Sequence, residues 1–447
     1  MKKVIVLFLL LGFAACQQQQ PDPFPTPVLD PSTSVALRWG QMTLSIMYQL
    51  PLNTPTYGSR SLGYAGLTMY ECVVNGTTTH RSLAAQLSGL TALPLPESGQ
   101  MYNYPLALNA GQAAILKNLF AFAPTDRLRR VDSLEAAING EFISITQPDV
   151  VTRSASYGKA VAEAIFTWSK TDGGFEGYKR NFDPGYSFPH GAGYWNPPIN
   201  GQIVSGFPLH PTWGKNRTFA PANSTLPVPE MTAYSTNRSS AYYKEFAAVY
   251  TKNQTLTPEE KAIAAWWGDD PTETFSPPGH SYNLANIVVK TAGPNLVKAA
   301  ETYARVGMAV ADGFVNCWKA KYTYHCERPS TYVRANIDPA WTQFWPEPPF
   351  PAFYSGHSVQ SAASATVLEA LYGTSFQFVD TSHQGRPRDQ IRKIDYVPRT
   401  FNSFWATAEE AALSRFYGGI HTRQDNEIGL AEGKKIGQHI NELTWSR

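Results

Sequence analysis

Apolar residues recur at spacings of three and four along most of the chain, which is the period of an α-helix. In residues 34–50, for example, Val35, Trp39, Met42 and Ile46 fall on one helical face. The same periodicity predicts further helices over residues 62–74, 113–122, 128–138, 150–168, 257–267, 295–324, 358–372, 404–417 and 422–441. Because no alternating run of β-branched residues separates these segments, the sequence predicts an all-α fold, a helical bundle with long Pro- and Gly-rich loops.

One long stretch lacks this periodicity. Residues 182–229 are rich in Pro, Gly and aromatic residues and contain the turns Asp183-Pro-Gly and Asn196-Pro-Pro. A segment of that length without a periodic pattern is usually a functional or wrapping loop. By contrast, Thr257-Pro258-Glu259-Glu260 is a capping box with Pro at the first helical position, which predicts a sharp helix start.

Composition narrows the class of protein. The 447 residues carry a formal net charge of +2, and only 16% of them are charged. A nucleic-acid-binding surface needs a clustered basic excess, so this class is excluded. With 43% hydrophobic and 13% aromatic residues the chain can bury a large core, which excludes a disordered protein.

The N-terminus has the features of an export signal. Lys2 and Lys3, the apolar run 4–11 and the small residues before Cys16 resemble a bacterial lipoprotein signal. That resemblance implies lipidation of Cys16, export to the periplasm or cell envelope, and anchoring to a membrane; an ordinary secretory signal cut near Ala15 is the alternative. The predicted organisation is a signal peptide at 1–15, a Gln- and Pro-rich tether at 16–33, an N-terminal helical region with the wrapping loop at 34–240, and a helical core carrying the chemistry at 241–447.

Three further cysteines remain in the chain. Four cysteines in 447 residues are too few for a disulfide scaffold. Free buried thiols are the ordinary interpretation of Cys72, Cys317 and Cys326, and one disulfide that involves Cys72 stays open.

The first chemical cluster is Lys321 with Arg328 and Pro329. Lys321 ends the predicted helix 295–324, and Pro329 moves Arg328 out of the helical region into an extended conformation. A point cation and a forked guanidinium can thus converge on one oxyanion. Taken alone, two such basic residues usually form a solvated face.

The second cluster is Ser355-Gly356-His357, just before an apolar helix. The unpaired N–H groups and positive dipole end of that helix form an anion site. Gly356 lets the backbone approach a ligand closely, Ser355 supplies a hydroxyl and His357 can move a proton. The alternative is an ordinary helix cap.

The third cluster contains Arg415, His421 and Asp425. On an unbroken helix the first two side chains would point about 240° apart, at about 100° per residue, but Gly418-Gly419 permits a break that lets both face one ligand. The dipole of the following helix keeps the imidazole neutral, and Asp425 can hold the ring or an adjacent cation. The alternative is that His421 is an ordinary surface or core histidine whose hydrogen bonds are satisfied. Asp269 or Asp270 could also pair with Arg415.

Together, Lys-x6-Arg-Pro, Ser-Gly-His and Ser-Arg-x5-His-x3-Asp resemble the signature of the vanadium-dependent haloperoxidase and type 2 phosphatidic acid phosphatase superfamily. The order and the internal spacing match in all three, although Tyr354 stands where the family usually has Pro. The resemblance implies that His421 is the apical ligand of vanadium or a phosphohistidine nucleophile, and that His357 is the general acid–base. It also implies that the oxygens of vanadate or phosphate are held by Lys321, Arg328, Ser355, Gly356 and Arg415.

Residues outside these clusters distinguish the two activities. Trp318 and Phe350 fall where chloroperoxidase-type members carry aromatic residues beside vanadate, with core packing as the alternative. The resemblance thus favours a haloperoxidase that uses vanadate, hydrogen peroxide and halide. A phosphatase acting on a periplasmic or lipid phosphate ester is the second hypothesis. A non-catalytic oxyanion-binding lipoprotein is the third, and it is disfavoured because an anion carrier does not need both His357 and His421.

Overall fold

A computed structural model describes residues 27–447, and fourteen α-helices occupy much of this part of the chain. The all-α prediction is confirmed, with one short antiparallel pair of strands, β1 (Phe378–Asp380) and β2 (Arg399–Phe401), among the described residues. The predicted signal peptide, Cys16 and most of the predicted tether lie outside the described residues. The helices are α1 (Pro31–Met47), α2 (Pro55–Glu71), α3 (Tyr104–Leu119), α4 (Thr125–Ile143), α5 (Pro148–Ser169), α6 (Pro221–Ser224), α7 (Ala241–Gln254), α8 (Pro258–Trp266), α9 (Pro277–Ala292), α10 (Leu296–Tyr324), α11 (Pro329–Asn336), α12 (Gly356–Tyr372), α13 (Phe404–Tyr417) and α14 (Arg423–Asn441).

Capping residues set the beginnings of the helices that carry the chemistry. The predicted capping box of α8 is present, since the Thr257 hydroxyl accepts from the Glu260 N–H and the Glu260 carboxylate accepts from the Thr257 N–H. Thr422 and Asp425 form a second capping box at α14. Asn295 caps α10 by accepting from the Lys298 N–H. These caps satisfy N–H groups that have no partner within the helix.

Helix α10 lies at the centre of the molecule, and most of its 29 residues are buried. It crosses α2 at close range: a Cβ on Gly66 would lie 2.3 Å from the Tyr303 carbonyl oxygen, and one on Gly307 would lie 2.4 Å from that of Leu62. Helices α12 and α14 approach each other as closely, because a Cβ on Gly433 would lie 2.3 Å from the Val359 carbonyl oxygen. Small residues therefore bring the elements that bear the three clusters into one bundle.

The segment 182–229 wraps around this bundle as the sequence predicts, with only short helical turns in it. Asp312, buried on α10, accepts hydrogen bonds from the N–H groups of Phe219 and Ala220 and from the Asn223 amide. The Leu209 N–H donates to the Pro349 carbonyl at 2.8 Å. These bonds fix the loop against α10 and against the segment that leads into α12.

Apart from the single turn α6, three helices lack a signal in the hydrophobic pattern: α7, α9 and α11. Helix α7 buries only Tyr242, Phe246 and Val249, and these residues lie in a small second core with Tyr332 of α11. Such a narrow apolar stripe carries little periodic signal. Helix α1 begins at Pro31, three residues before the predicted start. The division of the chain at 240/241 stays a prediction.

The cysteines of the described residues are free. Cys72, Cys317 and Cys326 are all buried without a disulfide, which confirms the ordinary interpretation of these thiols. Within residues 27–447, no helix combines the length and apolar character needed to cross a membrane.

Candidate active site

Lys321 lies in the last turn of α10 and is completely buried. Its ammonium group donates to the carbonyl oxygens of Pro351 at 2.9 Å, Ala352 at 2.7 Å and Tyr354 at 2.7 Å. Burial lowers its pKa to about 8. The lysine therefore brings positive charge to the site and also fixes the segment that leads into the second cluster.

Arg328 adopts the extended conformation that Pro329 predicts, with φ −89° and ψ 159°. Its Nε and Nη2 atoms donate to the Phe350 carbonyl at 3.0 and 2.9 Å, and Nη1 donates to the Ile420 carbonyl at 2.8 Å. Nη1 also lies 3.0 Å from Nε2 of His421. Arg328 thus links the first cluster to the third. Burial lowers its pKa to about 10.

The second cluster forms the beginning of α12. Ser355 is the N-cap, and its hydroxyl accepts from the Ser358 N–H at 3.3 Å, so Gly356 and His357 lie in the first turn. A Cβ on Gly356 would meet nothing closer than ring atoms of Phe314 and Trp318 at 4.0 Å. The backbone is therefore open to a ligand at this point.

His357 lies in the first turn of α12, and its Nε2 atom is buried without a hydrogen-bond partner. Burial, followed by the charge of Arg415, holds the pKa of His357 well below its usual value. The ring is neutral at pH 7 as a result, and Nε2 is available to take or give a proton.

The third cluster is divided by a helix break. Arg415 lies in the last turn of α13, Gly419 has φ +74°, and His421 precedes the N-cap Thr422 of α14. The guanidinium of Arg415 donates to the Ser414 hydroxyl and the Ala264 carbonyl, both at 3.2 Å. Its Nη1 atom is buried and has no partner. The predicted break is therefore present, and it leaves one strong donor of Arg415 unused.

His421 is held in one tautomer. Its Nδ1 donates to Oδ2 of Asp425 at 2.9 Å, so Nε2 carries the lone pair beside Arg328. Burial is the main cause that holds the pKa of His421 well below its usual value, and the charges of Arg328, Lys321 and Arg415 add to it. Nε2 is therefore an unprotonated ligand or nucleophile at neutral pH.

One cleft brings most of the predicted residues together. The predicted residues that line it are Trp318, Phe350, Gly356, His357, Arg415 and His421. Trp318 and Phe350 pack against each other with ring centroids 4.8 Å apart. They therefore serve both as core packing and as an aromatic lining of the cleft. Lys321, Arg328, Ser355 and Asp425 lie behind this lining and orient it through the hydrogen bonds described above.

The cleft also contains residues that the clusters do not include. Gln202, from the wrapping loop, donates to Oδ1 of Asp270 at 2.7 Å, and both residues line the cleft with Phe314. Burial raises the pKa of Asp270 to about 7. Phe314 lies one helical turn before Trp318 and could have been found from that spacing, whereas no pattern in the sequence marks Gln202.

The polar lining suits a tetrahedral oxyanion. Arg415 Nη1 and His357 Nε2 are buried hydrogen-bonding atoms without partners, and such atoms are rare because they are costly. The open position at Gly356 adds room beside them. Vanadate or phosphate would satisfy these groups and offset the charge of the surrounding cations.

Comparisons with known proteins agree with this geometry. Residues 301–446 match the family model of the VCPO second helical-bundle domain. A bacterial vanadium-dependent iodoperoxidase of known crystal structure is 30% identical to this chain in sequence. The match covers 95% of this chain and 98% of the iodoperoxidase chain, with a TM-score of 0.78. A holo-type bacterial vanadium-dependent chloroperoxidase shares the fold at 15% identity and TM-score 0.67, over 90% and 93% of the two chains.

A curated relative extends the comparison beyond bacteria. The vanadium chloroperoxidase of Curvularia inaequalis is 25% identical over 227 residues, which are 38% of this chain and 36% of that enzyme. The chain thus matches little more than a third of the fungal enzyme's length. The bacterial iodoperoxidase, by contrast, is matched over nearly its whole length. The resemblance inferred from the three clusters is confirmed, and the chain belongs to the vanadium-dependent haloperoxidase family.

Proposed function

We propose that this protein is a vanadate-dependent haloperoxidase that oxidises halide with hydrogen peroxide. The observation that carries the proposal is the state of His421. Its Nδ1 donates to Oδ2 of Asp425 at 2.9 Å, and its unprotonated Nε2 faces Arg328 Nη1 at 3.0 Å. His421 lines the same cleft as Arg415, which has an unpartnered donor. A neutral imidazole with a carboxylate behind it is the usual arrangement of a histidine that ligates a metal.

The residues of the site would contribute to vanadate binding in different ways. His421 Nε2 would ligate vanadium, while Arg415 and the Gly356 N–H would contact the oxygens directly from the cleft. Lys321 and Arg328 would contribute charge from behind, since their donors are largely occupied by carbonyl groups. Bound vanadate supplies a Lewis-acidic centre that activates hydrogen peroxide toward attack by halide.

His357 would transfer the proton of the reaction. The overall reaction converts halide, hydrogen peroxide and one proton into hypohalous acid and water. Because its pKa is held well below the usual value, His357 is neutral when peroxide arrives and can accept a proton at Nε2. It can then return that proton to the departing oxygen.

The halide would meet an aromatic surface. Trp318, Phe350 and Phe314 line the cleft beside His357, and they exclude water from the place where the oxidised halogen forms. The relatives include an iodoperoxidase and chloroperoxidases. The halogenation assay must therefore test iodide, bromide and chloride separately.

A phosphatase is the second candidate, because the same arrangement at His421 also suits it. An unprotonated His421 Nε2 with an unpartnered arginine donor nearby is also what a phosphohistidine mechanism needs. In that case His357 would protonate the leaving alcohol. Vanadate would inhibit such an enzyme, because it mimics the transition state of phosphoryl transfer.

One experiment separates the two candidates. The purified protein is assayed for halide- and peroxide-dependent halogenation of a phenolic dye, and for phosphate release from a generic phosphate ester, each with and without orthovanadate. We expect halogenation that requires vanadate. Phosphate release that vanadate suppresses, without halogenation, would reject the haloperoxidase proposal.

We also propose that Cys16 is lipidated and anchors the enzyme in the cell envelope. The signal-like N-terminus and the Gln- and Pro-rich stretch after it support this proposal. A single acyl chain binds a membrane only marginally, so stable anchoring would need multiple acylation. Mass spectrometry of the N-terminal peptide from the membrane fraction tests it, and an unmodified N-terminus beyond Cys16 would refute it.

A further inference from the structure

Another group of ionisable residues, separate from the three clusters, lies in the interior beside the cleft. Asp269, His280, Asp380 and His383 have side chains that are between 0% and 2% exposed. Oδ2 of Asp269 lies 2.7 Å from Nδ1 of His280, and Oδ1 lies 3.0 Å from Nε2 of His383. The second ring nitrogen of His280 lies 2.8 Å from Oδ2 of Asp380. One carboxylate thus faces two imidazoles at once.

The four residues come from separate parts of the fold. Asp269 follows α8 and precedes the cleft residue Asp270, His280 is in the first turn of α9, Asp380 ends β1, and His383 lies in the loop after it. A group that joins them would therefore hold together the segments that form one side of the cleft.

Two atoms of this cluster are unsatisfied. Asp269 Oδ1 and His383 Nε2 are fully buried and have no hydrogen-bond partner, because the ring nitrogen is not aligned with the oxygen despite the 3.0 Å separation. Buried polar atoms without partners cost free energy, so each one in a native interior needs an explanation. A hydrogen bond between these two atoms does not supply it.

We propose that Asp269, His280 and His383 form a binding site for a divalent transition-metal ion of the zinc type. Their ligand atoms, one from each residue, lie within 4.8 Å of one another. Zinc binds imidazole nitrogen at about 2.0–2.1 Å and carboxylate oxygen at about 2.0–2.2 Å, so neighbouring ligands of a tetrahedral ion lie roughly 3.3 Å apart. Asp269 Oδ2 and His280 Nδ1, which are 2.7 Å apart, would have to separate by roughly half an ångström to share the ion, while His383 faces the other oxygen of the same carboxylate at 3.0 Å.

The surroundings fit a metal as well. Asp380 accepts from His280 Nε2 and is itself held by the indole N–H of Trp266 at 2.8 Å and by Ser382. This is the carboxylate–histidine–metal arrangement, in which an outer carboxylate fixes the ring orientation. The ion would replace the proton on His280 Nδ1, which would be released to solvent. It would take the place of the positive charge that His280, hydrogen-bonded to both buried carboxylates, carries between them.

The proposal does not depend on halide chemistry, and metal content tests it directly. The full chain is loaded with Zn²⁺ in the absence of vanadate, loosely bound metal is removed, and zinc is measured by mass spectrometry. We expect about one equivalent per chain, a higher melting temperature than after chelation, and a Co²⁺ form with the visible absorption of tetrahedral coordination. Proton release should accompany binding.

Variants locate the ion. His383→Gln should lose the bound zinc, and Asp380→Asn should weaken zinc affinity by about 10–100-fold. His190→Gln is the control, because that histidine is exposed and is not part of the cluster. A folded protein that binds no zinc and melts at the same temperature with and without chelator would overturn the proposal. Full zinc content in His383→Gln would overturn it too. If that variant fails to fold, the chelator experiment on the unmodified chain decides.

Discussion

Asp425 holds His421 from one helical turn away: Nδ1 of the ring donates to Oδ2 of the carboxylate at 2.9 Å. The same oxygen accepts from the Thr422 N–H at 3.2 Å, so the carboxylate that caps α14 also orients the ring. The helix start and the chemistry of the site therefore share one residue. Because both donors point at the carboxylate, His421 has one tautomer, and the lone pair of its Nε2 atom faces Arg328 Nη1 at 3.0 Å, where a ligand of the histidine would bind.

Removing that carboxylate should weaken vanadate binding. In Asp425→Ala the Nδ1–H group of His421 loses its acceptor, and the ring is free to rotate or change tautomer. We expect vanadate affinity, measured by equilibrium dialysis, to fall by about 10–100-fold, as for other carboxylates behind a metal-ligating histidine. Asp425→Asn keeps an acceptor oxygen and should lose much less. Equal losses in the two variants would show that orientation of the ring is not what Asp425 contributes.

Gly356→Ala separates binding from stability. The added methyl group would meet only ring atoms at 4.0 Å, and alanine is favourable in a helix, so the melting temperature should not fall. The same methyl group would obstruct an anion that approaches the Gly356 N–H. Loss of one charge-assisted hydrogen bond costs about 1.5–3 kcal/mol, which corresponds to roughly 10–150-fold in vanadate affinity by equilibrium dialysis.

The matched control for this change is Gly140→Ala. Gly140 is exposed on α4, and a methyl group added there would have no neighbouring atom within 4 Å, so neither stability nor binding should suffer. If Gly356→Ala binds vanadate as well as the unmodified protein, the backbone at this position is not part of the anion site.

Local spacing accounts for what can be predicted from the sequence. Each cluster is short, and its geometry follows from nearby residues: Pro329 sets the backbone of Arg328, and Gly419 breaks the chain between α13 and α14. The helices with wide apolar stripes are predictable for the same reason. Their bounds are less accurate, as in α2, which begins at Pro55 and ends at Glu71, whereas the periodicity predicts 62–74.

Long-range packing accounts for what cannot be predicted. Gln202 reaches Asp270 only because the wrapping loop crosses the cleft, and no periodicity encodes that crossing. The three carbonyl acceptors of Lys321 are backbone atoms, which the identity of a residue does not reveal. The cluster around Asp269 draws on residues more than 100 positions apart, so its members are not recognisable as a group in the sequence.

Asp270 should make stability depend on pH. Burial raises its pKa to about 7 in the folded protein, against about 3.9 for an unfolded aspartate. Between these values the folded state binds a proton that the unfolded state does not, so this contribution to stability is present at low pH and is lost as pH rises toward 7. The melting temperature of Asp270→Asn, relative to the unmodified protein, should therefore increase between pH 4 and pH 7. A constant difference across that range would contradict the assignment.

Substitution of the two histidines of the cleft should have different effects on vanadate retention and on rate. His421→Ala removes the proposed bond between Nε2 and vanadium, so the protein should no longer retain vanadate through gel filtration. His357→Ala leaves Arg415, Arg328 and Lys321 in place, so vanadate should still be retained. Its halogenation rate should nevertheless fall by about 10²–10⁴-fold, because no third histidine of the described residues lines the cleft to transfer the proton. Measuring retained vanadium and kcat on the same samples distinguishes loss of the cofactor from loss of proton transfer. Retention of vanadate by His421→Ala at the unmodified level would show that the imidazole is not its ligand, whatever the effect on rate.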